Sequence, residues 1–383
     1  MAAGEEMAFR TEVLAACGAS AGTMAELLAY TARRFKLPSG GAPRELPLPD
    51  EPHLDAWLRY AAEAERIGVF PALRNRFVQL RFPIQSGISE EEDYRSATRR
   101  GLMAAAAAHA PGIVLRRPAD LELTICPTIA GRVPVLVVRE REDFVTLVRA
   151  FSHRNEPVSV PGAMGACIVT GFNNWDRIAD HRREWERSQG GPQPEAAWQD
   201  EFQRLIPRKE LYQDRFIILS AGPYSGVDAA AVGLDPAAWL ARSLVLRREH
   251  EFTHYFTYRV FGAMQNHLLD ELIADFVGLV RASGQYRGEL ALRFLGLESY
   301  PQWRADGRLQ AYRGEPPLSD AATAVLCGLA FRAIENLERF SIRNAPALDG
   351  LGALARLTLA LAGLTLEEMA SEGMVDRAAA LMR

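Results

Sequence analysis

Two histidines stand four residues apart in REHEFTHYF, residues 248–256, with a glutamate directly after the first. The segment lies inside PAAWLARSLVLRREHEFTHYFTYRVF, which has no proline or glycine after its first residue and predicts one long helix over 236–261. Side chains four apart on a helix share a face, so His250 and His254 point the same way. Two imidazoles at that spacing can hold one zinc ion without backbone strain. Glu251 lies about 100° round the helix from His250. It can stand beside the metal without ligating it and take a proton from a zinc-bound water, the role of a general base.

The chain just downstream supplies what such a centre still needs. The helix should stop near Gly262, and Asn266 can cap a new one over HLLDELIADFVGLV. There Leu268, Leu272, Phe276 and Leu279 form an apolar stripe, while His267, Glu271 and Asp275 form a polar one at i, i+4 and i+8. A second helix turned back on the first would aim Glu271 at the metal as a third ligand. Asp275, one turn on, would then hydrogen-bond the free N–H of a ligating histidine. His267 reads as a helix-start histidine. Were it to bind instead, the metal would sit among three imidazoles and Glu271 would be displaced.

HEFTH followed by ELIAD resembles the gluzincin pattern of zinc metallopeptidases, HExxH then ExxxD. The resemblance implies that His250, His254 and Glu271 hold Zn2+, that Glu251 is the general base and that Asp275 orients a ligand. It also implies a zincin-like fold in which a peptide lies along the edge strand of a sheet preceding the histidine helix. RFIILSAGPYSGV, 215–227, stands at a suitable distance for that strand. The likeness is confined to about residues 215–280 and is specific only over the two motifs. The whole chain also resembles an uncharacterised bacterial family sharing HExTH and DELIAD. One departure stands out: Arg247, Arg248 and Glu249 precede His250, where the peptidases carry uncharged residues. Arg247 could pair with Glu251 or with an anionic substrate group. His267, Tyr286 and Tyr224 are candidates for stabilising an oxyanion or contacting substrate.

The elements that must position these groups give an α+β reading. LELTIC (121–126), VPVLVV (133–138), ACIVTGF (166–172) and RFIILS (215–220) are short β-branched runs near turn residues, and read as strands. EDFVTLVRAF and NWDRIADHRREWER read as helices between them, the second capped by Asn173 or Asn174. Ser89 is a candidate N-cap for a helix through SEEEDYRSATRRGLMAAAAAHA. From Pro236 onward the pattern is helical: 236–261, 266–283, 288–297, 318–342, 346–362 and 365–381. The predicted organisation is an N-terminal helical segment with a proline-rich loop (1–68), a sheet-bearing lobe (69–228) and a helical lobe carrying both motifs (229–383).

Composition bounds the rest. A net charge of -4 gives no strong attraction to nucleic acid or an anionic membrane, so neither is expected as a partner. HRREWER, 181–187, interleaves acids with its bases and reads as a solvated helix face. The four cysteines are far apart with no CxxC pair, so reduced thiols in the cytoplasm are expected and Cys167 is not read as a nucleophile. No export signal or membrane span is read from the sequence. PGAMGACIVTGFNNW lacks the ending of a phosphate loop, and GPYSG has its serine displaced from the hydrolase elbow, so Ser225 reads as turn chemistry. The expectation is a cytoplasmic zinc-dependent hydrolase acting on a peptide or small amide-containing molecule. The alternatives are a metal-dependent non-peptidase acting on a small acidic metabolite and a zincin-like scaffold without catalysis. The sequence does not give an oligomeric state.

Overall fold

The computed structural model describes all residues except 1–2, 33–34, 37–40, 42, 44, 263–266, 345–349 and 383. The protein is α+β, and it divides into two compact units: Pro49–Gly222, and Met1–Leu48 together with Pro223–Arg383. The boundaries differ from the linear expectation. The N-terminal segment does not stand apart. Its first part, helices Ala3–Ala16 and Ala21–Tyr30, packs on helices Leu366–Ala370 and Asp320–Asn344 at the other end of the chain. Arg10 fixes this return, donating from Nε to Glu367 Oε1 at 2.9 Å inside the core.

The Pro49–Gly222 unit holds one four-stranded sheet of β1 (Glu122–Thr128), β2 (Gly131–Val138), β3 (Ala166–Asn173) and β4 (Gln213–Ser220). All four fall on the predicted runs. Their order is β1-β2-β4-β3, with β2 and β4 parallel and the outer pairs antiparallel. β2 and β4 are buried on both faces, which is why they read as unbroken apolar runs. One face packs Leu136, Phe216 and Ile218 against Trp57, Phe77, Phe144 and Phe151. The strand expected to offer an open edge to a peptide, 215–220, is thus an inner strand whose backbone is paired on both sides. It cannot take up a further strand, because its N–H and C=O groups are spent.

A buried polar knot pins helices to this sheet. Asp214 on β4 accepts from Trp57 Nε1 at 2.9 Å, Asn174 Nδ2 at 2.7 Å and Arg177 Nη1 at 2.7 Å. Burial pushes its carboxyl up to about 6 against the pull of Arg177. Asn174 also caps helix Trp175–Ser188 as expected, accepting from Asp176 N and Arg177 N. The helix expected to start at Ser89 begins only at Glu92 and ends at Arg100. Ser89 lies in a short 3-10 turn, its N–H held by Glu156, and the alanine run Met103–His109 is also 3-10.

In the other unit the six predicted C-terminal helices are present, the last split into Leu366–Ala370 and Met374–Leu381. No helix among the described residues is long and apolar enough to cross a membrane. Asp214→Ala would leave Arg177 buried without its counter-charge. An expected loss of about 3–5 kcal/mol in urea unfolding follows; a loss below about 1 kcal/mol would show that the knot contributes little.

Candidate metal centre

Two helices build the site. The histidine helix, Pro236–Phe261, starts at Asp235, whose Oδ1 accepts from Ala237 N and Ala238 N, and is capped by Gly262 at its end. The acidic helix, Leu268–Ser283, returns against it. They come close at Gly278. A Cβ there would meet the Leu246 carbonyl oxygen at 2.9 Å, and His250 Cβ at 3.6 Å. Only the missing side chain lets the two backbones come so near, and that proximity carries acids of one helix to imidazoles of the other.

The predicted triad converges. His250 Nε2 and His254 Nε2 are 3.0 Å apart, and Glu271 brings one oxygen to 3.5 Å from the first and the other to 3.4 Å from the second. All three residues are buried, with exposures of 5%, 8% and 8%. Asp275 Oδ1 stands 2.9 Å from His250 Nδ1, where the sequence put it. Glu251 is half-buried and makes no hydrogen bond or ion pair with any described residue.

Three further groups were missed. Asp270 is fully buried, with Oδ2 3.1 Å from His254 Nδ1, so each imidazole has its own aspartate. Its signal was present in DELIAD: residues 270, 271, 274 and 275 share one helical face. Arg308 ion-pairs Asp275, lies 4.0 Å from Glu271 and donates to Tyr224 Oη at 2.9 Å. Tyr312, one turn further, hydrogen-bonds Glu271. No local motif announces either residue. Ser225, in a left-handed turn at φ 51°, accepts from Arg308 and is turn chemistry as expected.

Four residues were candidates for oxyanion or substrate contacts. Tyr224 Oη donates to Asp275 Oδ1 at 2.6 Å and lies 2.9 Å from His250 Nδ1. That is the side of the ring opposite the converging Nε2 atoms, so it braces the imidazole and does not face a substrate. Arg247 is buried, donating to the Pro223 carbonyl at 3.0 Å with its guanidinium over the Tyr224 ring, and it does not pair with Glu251. His267 caps the acidic helix in place of the expected Asn266, which lies outside the described residues. Its Nδ1 accepts from Leu269 N at 3.2 Å, its Nε2 is 2.9 Å from the Tyr30 carbonyl, and its ring stacks on Tyr30. Tyr286 is buried against Phe276, its hydroxyl without a described partner.

Three buried carboxylates touch the two imidazoles, and one guanidinium, that of Arg308, reaches two of those carboxylates, Asp275 and Glu271. Burial opposes each charge, yet the partners prevail. The hydrogen bond from His254 and the charges of His254, His250 and Arg308 hold Glu271 well below the usual carboxylate range. Arg308, then His250 and Tyr224, pull Asp275 down against its burial. Asp270 and Glu271 hold His254 well above its ordinary value, again against burial. The site draws positive charge inward.

A two-unit α+β protein with a buried His–His–Glu cluster is the class these features define. The chain belongs to a family of unknown function (DUF7005), which matches it over residues 12–373. No curated protein and no solved structure matches it. Gly278→Val would force the two helices apart. Overpacking of about 1–3 kcal/mol is expected in denaturant unfolding, and a stability equal to wild type would show that the crossing is not tight.

Proposed function

We propose that the protein is a cytoplasmic zinc-dependent hydrolase that cleaves an amide bond with metal-activated water. One observation carries the reading. Ligand atoms about 2.0–2.1 Å from a tetrahedral zinc lie about 3.3 Å from one another; His250 Nε2 and His254 Nε2 are 3.0 Å apart, and one ligand atom from each of His250, His254 and Glu271 lies within 4.8 Å of the other two. Charge supports it as well. With both imidazoles neutral, three carboxylates against one guanidinium leave two buried negative charges, which a divalent cation would balance. His250 Nε2, His254 Nε2 and Glu271 would be the protein ligands, leaving a fourth position open, as in catalytic sites. A zinc there would supply Lewis-acid chemistry, acidifying water and polarising a carbonyl.

The chain's own groups would do the remainder. Asp275 and Asp270 would keep each imidazole oriented with Nε2 unprotonated towards the metal. Glu251, unpaired beside His250, would take the proton from the attacking water and pass it to the leaving nitrogen. Arg308 and Tyr312 would hold Glu271 in place. A small amide-containing substrate is favoured over a long peptide, because the triad is deeply buried and the strand assigned to peptide binding has no free edge. The arginines that suggested an acidic metabolite give that alternative less support: Arg247 is spent on the Pro223 carbonyl and Arg248 pairs with Glu249.

Elemental analysis after purification without chelator should find about one zinc per chain in wild type and in Glu251→Gln, and most of it lost in Glu271→Ala. Wild type that carries no zinc and takes up none when offered would overturn the metal centre. With zinc present, a library of short peptides and acylated amino acids should be cleaved by wild type, and Glu251→Gln should be slower by about 100-fold or more. Silence with intact zinc would favour a non-peptidase. Asp270→Asn and Asp275→Asn should each weaken zinc binding by about 10–100-fold in a competition titration; unchanged affinity would remove the two aspartates from the site.

A further inference from the structure

The Pro49–Gly222 unit contains a cavity of about 680 Å³ that none of the chemistry above uses. Its size is within the usual range for a small-molecule site, about 300–1,000 Å³. The apolar part of its wall joins three aromatic rings to Leu102, Met103 and Ile178. Trp175 stacks on Phe202 with ring centroids 5.9 Å apart, and Phe202 in turn meets Trp198 at 5.8 Å. The indole of Trp175 is fixed from two sides. Its Nε1 donates to the Thr98 carbonyl at 2.7 Å, and Gly101, at φ +71°, passes so close beneath that a Cβ would lie 2.4 Å from the ring. Any larger residue would displace the ring or strain the backbone.

The polar part of the wall is cationic. Five arginines line the cavity against two carboxylates, Asp176 and Glu195. Arg76, Arg100 and Arg182 have acidic partners in Glu63, Glu92 and Glu195, and Arg182 also lies over the Trp198 ring. The other two are unmatched. Arg81 donates only to the backbone carbonyls of Arg74 and Asn75, both at 3.0 Å, and Arg99 makes no hydrogen bond or ion pair with a described residue. Two guanidiniums without a carboxylate beside a fixed aromatic wall form a site for a molecule with two ends, one anionic and one planar. Guanidinium matches phosphate oxygens in a bidentate way, and an aromatic wall takes a base by stacking whatever its edge pattern.

We infer that this cavity binds a nucleoside phosphate, with the phosphates on Arg81 and Arg99 and the base against Trp175 and Phe202. The inference does not depend on the metal centre, since every lining residue belongs to the sheet-bearing unit.

The test is equilibrium dialysis of the full chain with labelled ATP, GTP, UDP and AMP, with adenosine and inorganic triphosphate as competitors. At least one nucleotide should bind saturably, one per chain. Adenosine and triphosphate, each carrying half of the recognised chemistry, should compete about ten-fold less well or worse. Arg99→Ala should weaken binding by about ten-fold or more while zinc content and thermal unfolding stay as in wild type, because Arg99 is exposed and holds nothing else in place. Three results would overturn the inference: no saturable binding of any of the four up to about 5 mM, triphosphate competing as well as the nucleotide, or Arg99→Ala binding as wild type does.

Discussion

The site depends on a close crossing of two helices at a residue with no side chain. Gly278 lets the acidic helix reach the Leu246 carbonyl, and from that point the geometry of both helices is committed. One turn and more towards the N-terminus of the acidic helix, Asp275, Glu271 and Asp270 fall opposite His250 and His254. A helix is stiff over such a span, so one contact fixes five polar groups together. The apolar stripe of Leu268, Leu272, Phe276 and Leu279 is fully buried and supplies the burial that holds the crossing.

That crossing also creates an electrostatic debt. Carboxylates that would be solvated on a surface are drawn into the interior beside imidazoles, where an unbalanced charge is costly. Arg308 answers part of it by reaching Asp275, Glu271 and Tyr224 at once. The remainder is met either by a proton on His254, which Asp270 and Glu271 hold well above its ordinary value against burial, or by a cation between the converging atoms. The two aspartates act on opposite rings in the same way, one through His250 Nδ1 and one through His254 Nδ1.

The sheet-bearing unit follows a different physical logic. Its inner strands are apolar on both faces, and its buried acid Asp214 is satisfied by three donors. Resemblance to the gluzincins implied a peptide along an edge strand within residues 215–227. The order of strands removes that possibility, since β3 follows β4 in space though it precedes it in sequence. HRREWER, expected as a solvated face, carries ion pairs of Arg182 with Glu186 and of Arg183 with Asp180, and Arg182 also borders an aromatic cavity that its local sequence does not announce.

The sequence by itself determined what depends on near neighbours. Periodicity located the four strands and both site helices, and spacings of four put His250 with His254 and Glu271 with Asp275, because helical geometry ties residues one turn apart. Asp270 was legible in principle on the same face and was passed over, being adjacent to a residue already assigned. What the tertiary structure decided was everything joined across long stretches of chain. Arg308 and Tyr312 reach Glu271 from a short turn after two intervening segments, Tyr224 turns out to brace the far side of an imidazole, and the first two helices close onto the last ones. A pattern of residue types records which face of an element is apolar. It does not record which other element that face will meet, since that is settled by packing the whole chain at once.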